Sequence, residues 1–437
     1  MKPHLGQELP SVERAEGSWV WDTAGRKYLD GSSGAVVVSL GHAHPEVISV
    51  LQEQSQLVTY AVRAQFTNEP AERLAARLAE LAPGDLDSVF LVNSGSEAVE
   101  AAVKLALQHW SEQGRPEKHW FISRRGSYHG TTLGALSLSG HPVRRHHFES
   151  LLRAFPAVPQ PSRYRCESNA ACPPCDLSCA DAFEAAITTA GADRVAGVIV
   201  EPVVGATGGA VVAPPGYHQR LRDICDRHDV LLIADEVMTG VGRCGTFLAT
   251  ERWDTVPDLV VLGKGLGAGY VPIAAVLARR PVVDAIAAGS GQITGGHTYS
   301  ANPLAAAVAL RVLDITVRDG LAERARRLEP VLGAALGDLM ESHPLVGDVR
   351  GLGLLWGLEL VADRTSRRPF PRERMVTERF VAACQANGLL VYPASDGSND
   401  AVLIGPPLNV TEEELHLLVE RLDASLSALE RELPVRA

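Results

Sequence analysis

Lys264 is the residue whose type and setting point most directly to chemistry. It follows an apolar run, Leu259 to Leu262, in the segment LVVLGKGLGAGYVPIAAV. If that run is a buried strand, burial disfavours the ammonium form, lowers the pKa of the lysine and leaves a nucleophilic amine. Such amines form Schiff bases with carbonyl compounds. The alternative is a lysine that extends to solvent, and the flanking glycines argue against it because they predict close approach of a ligand.

A second apolar run ends in a carboxylate. The segment VLLIADEVMTGVG places Asp235 at the C-terminal edge of a predicted strand. A carboxylate that keeps a pyridinium nitrogen protonated and a lysine that binds an aldehyde are the two protein groups that pyridoxal 5'-phosphate (PLP) needs most. Asp235 and Lys264 therefore predict a PLP site. A buried salt bridge is the alternative role for Asp235, although DEVMTG offers no basic residue nearby in sequence.

Two further motifs suit the other parts of that cofactor. In NSGSEAVEAAVKLA, Gly95 and Ser96 lie where a strand turns into a helix, and free N–H groups at a helix N-terminus attract phosphate. An ordinary N-cap is the alternative. In GSYHGTT, Tyr128 and His129 precede a turn glycine, and an aromatic ring can stack on a flat cofactor. A buried structural tyrosine is the alternative there.

Two more polar residues complete the candidate set. Glu201, in VEPVVGATGG, follows a predicted buried strand and is expected to orient the cofactor edge or to bond another residue of the site. Thr298, in HTYSANPLAAAVAL, comes just before a predicted helix. Its hydroxyl is expected either to donate to phosphate or to cap that helix.

Alternating strands and helices place these residues. Apolar strands are predicted at Val89–Val92, Trp120–Ser123, Val195–Val200, Val230–Ala234 and Leu259–Leu262, with helices over SEAVEAAVKLALQHW and Tyr217–His228 between them. This order predicts an α/β fold with a mostly parallel sheet covered by helices on both faces. Asn93, Glu201, Asp235 and Lys264 all lie just past strand ends, where ligands bind in such sheets.

The two ends of the chain predict a smaller α+β domain. WVWDTAGRKYLD reads as a hairpin with its turn near Asp22–Gly25. One long helical stretch is expected from Asn302 to about Ser342, followed by short strands at Gly347–Arg350, Leu354–Leu360, Leu389–Tyr392 and Val402–Ile404. We expect residues 1–55 to contribute to the small domain, 56–315 to form the large PLP-binding domain, and 316–437 to form the small C-terminal domain.

Composition narrows the function class. The chain has 437 residues and a net charge of −11 with no basic stripe, which argues against a nucleic-acid partner. No apolar run approaches the roughly 20 residues that span a bilayer. The N-terminus has no apolar core of the kind that secretory signals carry. We therefore expect a cytoplasmic protein with no membrane partner.

The cysteines give no clear site. Seven cysteines exclude a complete internal disulfide framework, and four of them crowd into CESNAACPPCDLSC: Cys166, Cys172, Cys175 and Cys179. A loop of reduced thiols is the favoured interpretation, and no metal site is predicted. Zinc sites usually pair two knuckles across a longer spacer, which this cluster lacks. A thiolate metal site and an adventitious disulfide remain alternatives.

Taken together and in order, the motifs resemble a known family. NSGSEAVEAAVKLA, SYHGTT, EPVVGATGG, ADEVMTGVGRCG, LGKGLGAGYVPIAAV, HTYSANPLA and GPPLNVTEEEL are similar to those of the class III (ω-type) aminotransferases, which are PLP enzymes of fold type I. The resemblance covers nearly the whole chain. It implies a seven-stranded, mostly parallel sheet in the large domain, a smaller α+β domain and a homodimer.

The resemblance also implies residue roles. Lys264 would carry the Schiff base and Asp235 would pair with the pyridine nitrogen, with Val237 packing under the ring. Tyr128 would stack on the other face, beside His129. The remaining roles are phosphate binding by Gly95 and Ser96, a place near the ring edge for Glu201, and contact of Thr298 with the phosphate of the neighbouring subunit's cofactor.

One departure concerns substrate. Many relatives that bind amino-acid carboxylates have an arginine where this chain has Leu403. Bidentate binding of a carboxylate needs a guanidinium, so Leu403 cannot bind one in that way. Other relatives carry a mobile arginine slightly upstream, where YPASDGSNDAVL has Asp396 and Asp400. Those acids suit a cationic or polyhydroxylated amine, or form a solvated loop. Arg243, in GRCG, is expected to be a scaffold residue.

The resemblance predicts an aminotransferase with a ping-pong mechanism. An amine or ω-amino donor would give its amino group to a keto acid, aldehyde or ketone, with Lys264 holding PLP and moving the Cα proton. Another reaction on the same scaffold is the alternative: racemisation or epimerisation, amino-group migration, decarboxylation or phosphate elimination. A catalytically inactive binding protein and a metalloprotein built on the cysteines are the other readings.

Overall fold

A computed structural model describes residues 8–168 and 175–433 of the chain. The strands within these ranges are β1 (Val12–Glu16), β2 (Trp19–Asp22), β3 (Lys27–Asp30), β4 (Ser88–Val92), β5 (Trp120–Arg124), β6 (Ala157–Val158), β7 (Val195–Val200), β8 (Val203–Val204), β9 (Val211–Val212), β10 (Leu231–Asp235), β11 (Leu259–Leu262), β12 (Ala274–Ala278), β13 (Val346–Leu352), β14 (Leu355–Leu360), β15 (Leu389–Leu390), β16 (Tyr392–Pro393) and β17 (Asp400–Ile404).

The α-helices of the described chain lie between and after these strands. They are α1 (Ser33–Val36), α2 (Pro45–Ser55), α3 (Glu69–Leu81), α4 (Gly95–Glu112), α5 (Leu133–Leu138), α6 (Pro142–Arg145), α7 (Ser178–Ala190), α8 (Tyr217–Arg227), α9 (Arg280–Ala288), α10 (Pro303–Arg318), α11 (Leu321–Ser342), α12 (Val376–Ala386) and α13 (Glu412–Glu432). None of the helices described is long and apolar enough to cross a bilayer.

The predicted seven-stranded sheet is present. Its strand order is β4-β12-β11-β10-β7-β5-β6. The neighbours β11, β10, β7, β5 and β6 run parallel, and β12 is antiparallel to both strands beside it. The prediction of a mostly parallel sheet is therefore confirmed. The bounds predicted for β4, β5, β7, β10 and β11 differ from the observed ones by no more than one residue, whereas β6 and β12 were not predicted.

Both faces of this sheet are buried under helices. Val261 packs with α4 and α9, whereas Val260 and Leu262 pack with α3 and α10. Successive side chains of a strand point to opposite faces, so a strand covered on both sides must be apolar throughout. This explains why β7, β10 and β11 read as continuous apolar runs.

The smaller α+β region is built around the antiparallel sheet β13-β14-β17-β16, which packs against α11, α12 and α13. The predicted hairpin is also present as β2 and β3, with Asp22 accepting bonds from the backbone N–H groups of Ala24 and Arg26. These strands form a separate sheet, β1-β2-β3-β15. The domain bounds 1–55, 56–315 and 316–437 stay a prediction.

Two predicted elements are divided in the structure. The single helical stretch expected after Asn302 is two helices, because Gly320 adopts a left-handed conformation with φ 58° and ends the first of them. The strand expected at Leu389–Tyr392 is split between two sheets. Leu389–Leu390 pairs with β3, and Tyr392–Pro393 pairs with β17.

A glycine contact joins the small sheet to the large domain. Gly357 lies on β14, and a Cβ atom there would come within 2.0 Å of the Gly209 carbonyl oxygen. Gly209 ends a turn that begins at Gly205. The backbone N–H of Gly205 donates to the Glu201 carboxylate at 2.8 Å. The close approach of two backbones therefore sets how the turn after β7 lies.

We predict that Gly357→Ala destabilises the protein, because the added methyl group must displace backbone rather than a flexible side chain. The expected loss is about 1–3 kcal/mol in the apparent free energy of unfolding, measured in urea. Gly337→Ala is the control, since a Cβ there in α11 meets nothing within 4 Å. That variant should gain up to about 1 kcal/mol from helix propensity. Equal effects of the two substitutions would contradict the prediction.

Candidate active site

A cavity of about 180 Å³ lies at the carboxyl ends of the parallel strands. It is lined by Ser94, Gly95, Ser96, Tyr128, His129, Gly130, Glu201, Val203, Ala206, Asp235, Val237, Met238 and Lys264. These residues follow five different strands, β4, β5, β7, β10 and β11. Larger depressions exist elsewhere on the described surface, including one of about 510 Å³ lined by Arg125 and Arg350. This smaller cavity is the one that combines the predicted lysine and carboxylate.

Lys264 begins a short 3₁₀ turn immediately after β11. Burial lowers its pKa from 10.5 to about 8, against the opposing effect of the Asp235 and Glu201 carboxylates. Its backbone φ is 41°, a left-handed value that is strained for a residue with a side chain. No described protein group accepts a hydrogen bond from its amine. These features fit a lysine whose amine is reserved for a ligand.

Contacts with the described protein do not require the glycines beside Lys264, so close approach of a ligand to them stays a prediction. A Cβ on Gly263 would meet its nearest neighbour at 3.4 Å, and one on Gly265 at 3.7 Å, which are ordinary contacts. Close packing instead requires glycine at Gly95, where a Cβ would lie 3.0 Å from Val237, and at Gly130, where it would lie 2.5 Å from the Ser96 hydroxyl.

Asp235 is paired with a histidine that comes from a different strand. The Nδ1 atom of His129 lies 2.7 Å from Oδ2 of Asp235, and both side chains are buried. The Val237 N–H donates to Oδ1 at 3.2 Å. The sequence offered no basic partner near Asp235, because the partner is 106 positions away. His129 Nε2 has no partner among the described protein groups.

Glu201 organises the loops around the cavity. Its Oε1 atom accepts the backbone N–H of Tyr128 at 3.0 Å, and its Oε2 atom accepts that of Gly205 at 2.8 Å. Burial raises the pKa of Glu201, and the buried guanidinium of Arg124 donates to its carbonyl oxygen at 2.5 Å. Of its two predicted roles, bonding to another residue of the site is the one seen. Burial also raises the pKa of Tyr128.

The N-terminus of α4 forms one end of the cavity. Ser94 is the N-cap, with its hydroxyl accepting the Glu97 N–H at 3.2 Å. Ser96 therefore does not cap the helix, and its hydroxyl accepts the Thr131 N–H at 3.0 Å. This bond ties the loop that carries Tyr128 and His129 to the helix end. The N–H groups of Gly95 and Ser96 have no acceptor in the described protein.

Two residues lie outside this group. Asn93 bonds to Glu97, with its side-chain nitrogen 2.9 Å from Oε2, and does not line the cavity. Thr298 is exposed and is likewise not a lining residue. It does not cap the following helix, because Asn302 does so by accepting the Ala305 N–H at 3.0 Å. The capping alternative for Thr298 is therefore wrong.

The three residues that the sequence analysis connected with substrate binding differ in burial and in hydrogen-bond partners. Leu403 is fully buried on β17 among apolar side chains. Asp400 accepts bonds from the N–H and hydroxyl of Thr377 and does not line the cavity. Asp396 is nearly buried and bonds to Ser398.

Arg243 is a scaffold residue, as predicted. It is buried, and it donates to the carbonyl oxygens of Leu354 at 3.1 Å and Pro406 at 2.5 Å. The two carbonyls lie 111 and 163 positions away along the chain. Arg243 therefore holds the end of the large domain's Asp235 loop against the small sheet, which helps to enclose the site.

The cysteine cluster gives no metal site in the part of the chain that is described. Cys166, Cys175 and Cys179 are free thiols, and the described residues contain no group of three or more potential ligands arranged for a metal. Burial raises the pKa of Cys179 to about 12, so it is an inert thiol at neutral pH. Cys172 lies outside the described residues.

Several residues of the site were not predicted from sequence. Ser94, Val203 and Met238 line the cavity within two residues of a predicted site residue, and Ala206 lines it five residues after Glu201. The position of a residue just past a strand end was the signal that could have found them. Arg144 was also missed, because nothing in its local sequence indicates that its guanidinium lies 4.3 Å from the ring centre of Tyr128.

Comparison with known proteins decides the family. The sequence model of the family described as aminotransferase class-III matches residues 3–426. The chain belongs to the class-III aminotransferase family. It is therefore an enzyme of the aminotransferase type, and this family depends on PLP. The resemblance seen in the motifs is confirmed.

The sequence relatives match over nearly their whole length. The chain is 46% identical to the uncharacterized aminotransferase YodT of Bacillus subtilis, covering 99% of this chain and 98% of that protein. It is 39% identical to the adenosylmethionine-8-amino-7-oxononanoate aminotransferase of Geobacter sulfurreducens, covering 98% and 94%. The first name gives no substrate and the second gives one. The two names therefore agree only that an amino group is transferred.

Solved structures agree with the fold. An (S)-enantioselective ω-transaminase from Thermomicrobium roseum matches with a TM-score of 0.91 at 35% identity, covering 97% of this chain and 93% of that one. The ω-transaminase of Pseudomonas jessenii, solved in complex with PMP, matches with a TM-score of 0.93 at 33% identity, covering 99% and 97%. Fold type I is thereby confirmed.

We predict that Lys264 titrates near pH 8 in the cofactor-free protein. An amine reacts as the free base, so its labelling by trinitrobenzenesulfonate should rise through pH 8, where an ordinary lysine with a pKa of about 10.4 is still protonated. Asp235→Asn removes a carboxylate that raises this pKa, so the midpoint should fall below 8.

Peptide mass spectrometry across a pH series measures the labelling, with the exposed Lys104 as internal reference. Asp254→Asn is the control, because Asp254 is exposed and does not contribute to the shift. A midpoint that stays in place in Asp235→Asn would show that the carboxylate does not act on the amine.

Proposed function

We propose that the cavity binds PLP and that the residues lining it carry out amino-group transfer. The arrangement of four chemically distinct groups around one space supports this. They are the Lys264 amine, the Asp235 carboxylate, the Tyr128 ring and the free N–H groups of Gly95 and Ser96 at the start of α4. An aldehyde, a pyridine nitrogen, a flat ring and a phosphate need these four partners. The residues present therefore fit the cofactor.

Each residue is assigned a task by its setting. PLP, when bound, supplies the electron sink that stabilises negative charge at the substrate Cα. Lys264 would hold the cofactor aldehyde, and its amine, whose pKa burial lowers, would move the substrate Cα proton. Asp235 would face the ring nitrogen, and its bond to the buried His129 fixes which way its carboxylate points.

The remaining lining residues bind and orient. Tyr128 would stack on one face of the ring, and Val237 would pack against the other. Gly95 and Ser96 would bind the phosphate, which the dipole of α4 would also attract. Glu201 holds the Tyr128 backbone and so sets the position of that ring. The apolar side chains of Val203 and Met238 exclude water from the reacting atoms.

We further infer a homodimer that acts in the cytoplasm. The exposed position of Thr298, away from its own cavity, is compatible with contact to the phosphate at the neighbouring subunit's site. The substrates we propose are an amine or ω-amino donor and a keto acid, aldehyde or ketone acceptor. They react in alternation at the same site.

Borohydride reduction of PLP-supplemented protein should fix the cofactor to Lys264 and to no other described lysine. Lys118 is an internal control, because it too is buried, with its pKa lowered to about 8 by burial. Its amine, however, donates to the carbonyl oxygens of Ala192 and Asp229. Label on the Lys118 peptide, or none on the Lys264 peptide, would contradict the proposal.

Lys264→Ala should lose turnover completely, and a single-turnover experiment should show why. With a reactive amine donor and no acceptor, we expect the wild-type protein to release one carbonyl product per active site and then stop. The substituted protein should release none. Continued exchange of the donor's Cα proton without release of carbonyl product would instead favour racemisation.

A further inference from the structure

One arginine beside the cavity has no carboxylate partner. The guanidinium of Arg144, on the short helix α6, lies over the ring of Tyr128, 4.3 Å from its centre. The side chain is half-buried, and no described acidic residue lies within ion-pair distance of it. An arginine kept at a ligand cavity without a counter-ion has a guanidinium that can receive an anion.

The neighbouring arginines are all engaged. Arg145, the next residue in the chain, pairs with Glu149 at 3.0 Å and donates to three carbonyl oxygens. Arg124 is buried against the Glu201 carbonyl. Three others around the adjacent depression hold carboxylates: Arg125, Arg165 and Arg350. Among the arginines described near the cavity, Arg144 alone has neither a carboxylate nor a carbonyl partner, and it contacts only the Tyr128 side chain.

No carboxylate of the described acidic loop, residues 395–400, forms an ion pair with Arg144. Asp396 and Arg144 both lie close enough to His141 to affect its pKa. The Oδ1 atom of Asp396, however, accepts hydrogen bonds from the N–H and the hydroxyl of Ser398. His141 itself supplies no charge, because burial lowers its pKa to about 4. The guanidinium of Arg144, near Tyr128 at the cavity rim, therefore has no ion-pair partner among the described residues.

The floor of the cavity has the opposite sign. Asp235 and Glu201 lie there, and a substrate carboxylate close to them would be repelled. The positive field of Arg144 reaches the cavity, since it contributes to lowering the pKa of Lys264. A substrate with its amine or carbonyl at Lys264 would thus have its carboxylate directed to the rim, towards Arg144.

We propose that Arg144 is the specificity-determining residue that binds the carboxylate of amino-acid donors and keto-acid acceptors, a role that rests on the proposed function. The buried Leu403 cannot provide that contact. Arg144 rests on Tyr128 in the free protein, through a cation–π contact that is weaker than a bidentate bond to a carboxylate. A carboxylate therefore draws the guanidinium from the ring to the cavity mouth.

Binding of an unreactive carboxylate tests this assignment without turnover. Calorimetry with pentanoate and its uncharged analogue pentanamide is done on PLP-supplemented wild-type, Arg144→Gln and Arg144→Lys proteins. Arg144→Gln should weaken pentanoate binding by about 10- to 100-fold, the range for a lost hydrogen-bonded charge pair, and leave pentanamide within about twofold. Arg144→Lys should be intermediate, because an ammonium binds as a point charge.

Arg163→Gln is the matched control. Arg163 is exposed and has no described carboxylate partner, so this variant removes the same charge away from Tyr128 and should bind pentanoate like wild type. In kinetics, Arg144→Gln should raise KM for a keto acid with little change in kcat, and leave KM for the matching aldehyde unchanged. The cofactor absorbance should also be unchanged.

Three results would overturn the assignment. They are failure of the wild-type protein to bind pentanoate, equal weakening of pentanoate and pentanamide in Arg144→Gln, and a shift of the cofactor absorbance in that variant. The last two would mean that the guanidinium only positions Tyr128. Absence of amine turnover in the wild type would count against the proposed function instead, and the pentanoate result would still decide the role of Arg144.

Discussion

The parallel pairing of β10 with β11 is the constraint on which the site depends. Asp235 is in register with Val261, so the lysine that comes three residues later projects beyond the sheet edge beside the carboxylate. The Glu236 N–H continues the ladder by donating to the Val261 carbonyl oxygen at 2.9 Å. Because both strands pack against helices on both faces, a slip of register would mismatch the close packing on each side of the sheet. The register that the core enforces thus also sets the proposed catalytic pair.

Burying opposite charges at one sheet edge is costly unless each has a partner. Asp235 has His129 at 2.7 Å, and Glu201 has two backbone N–H donors. Lys264 has no hydrogen-bond acceptor among the described groups, and burial lowers the pKa of its amine. The cavity therefore holds its carboxylates firmly and leaves its amine free, which is the asymmetry that a covalent cofactor site requires.

Sequence was sufficient wherever a side chain follows an apolar strand, because the strand pattern and the parallel order fix which ends meet. Glu201, Asp235 and Lys264 were located in this way, with five of the seven strands of the sheet; the number seven came from the family resemblance. It was insufficient for contacts between distant segments. The bond from His129 to Asp235 and the stacking of Arg144 on Tyr128 depend on how loops fold back, which no local pattern encodes. The break at Gly320, where φ is 58°, was also not predicted.

Burial of a lysine does not by itself identify a catalytic amine in this chain. Lys118 and Lys264 both have pKa values lowered to about 8 by burial. Lys118 nevertheless donates to two carbonyl oxygens, so its protons satisfy buried backbone acceptors and the residue is structural. Lys264 combines a free amine with a strained φ of 41° and a neighbouring carboxylate. No described protein group bonds to this amine to offset the strain, which supports the proposal that the amine binds a ligand.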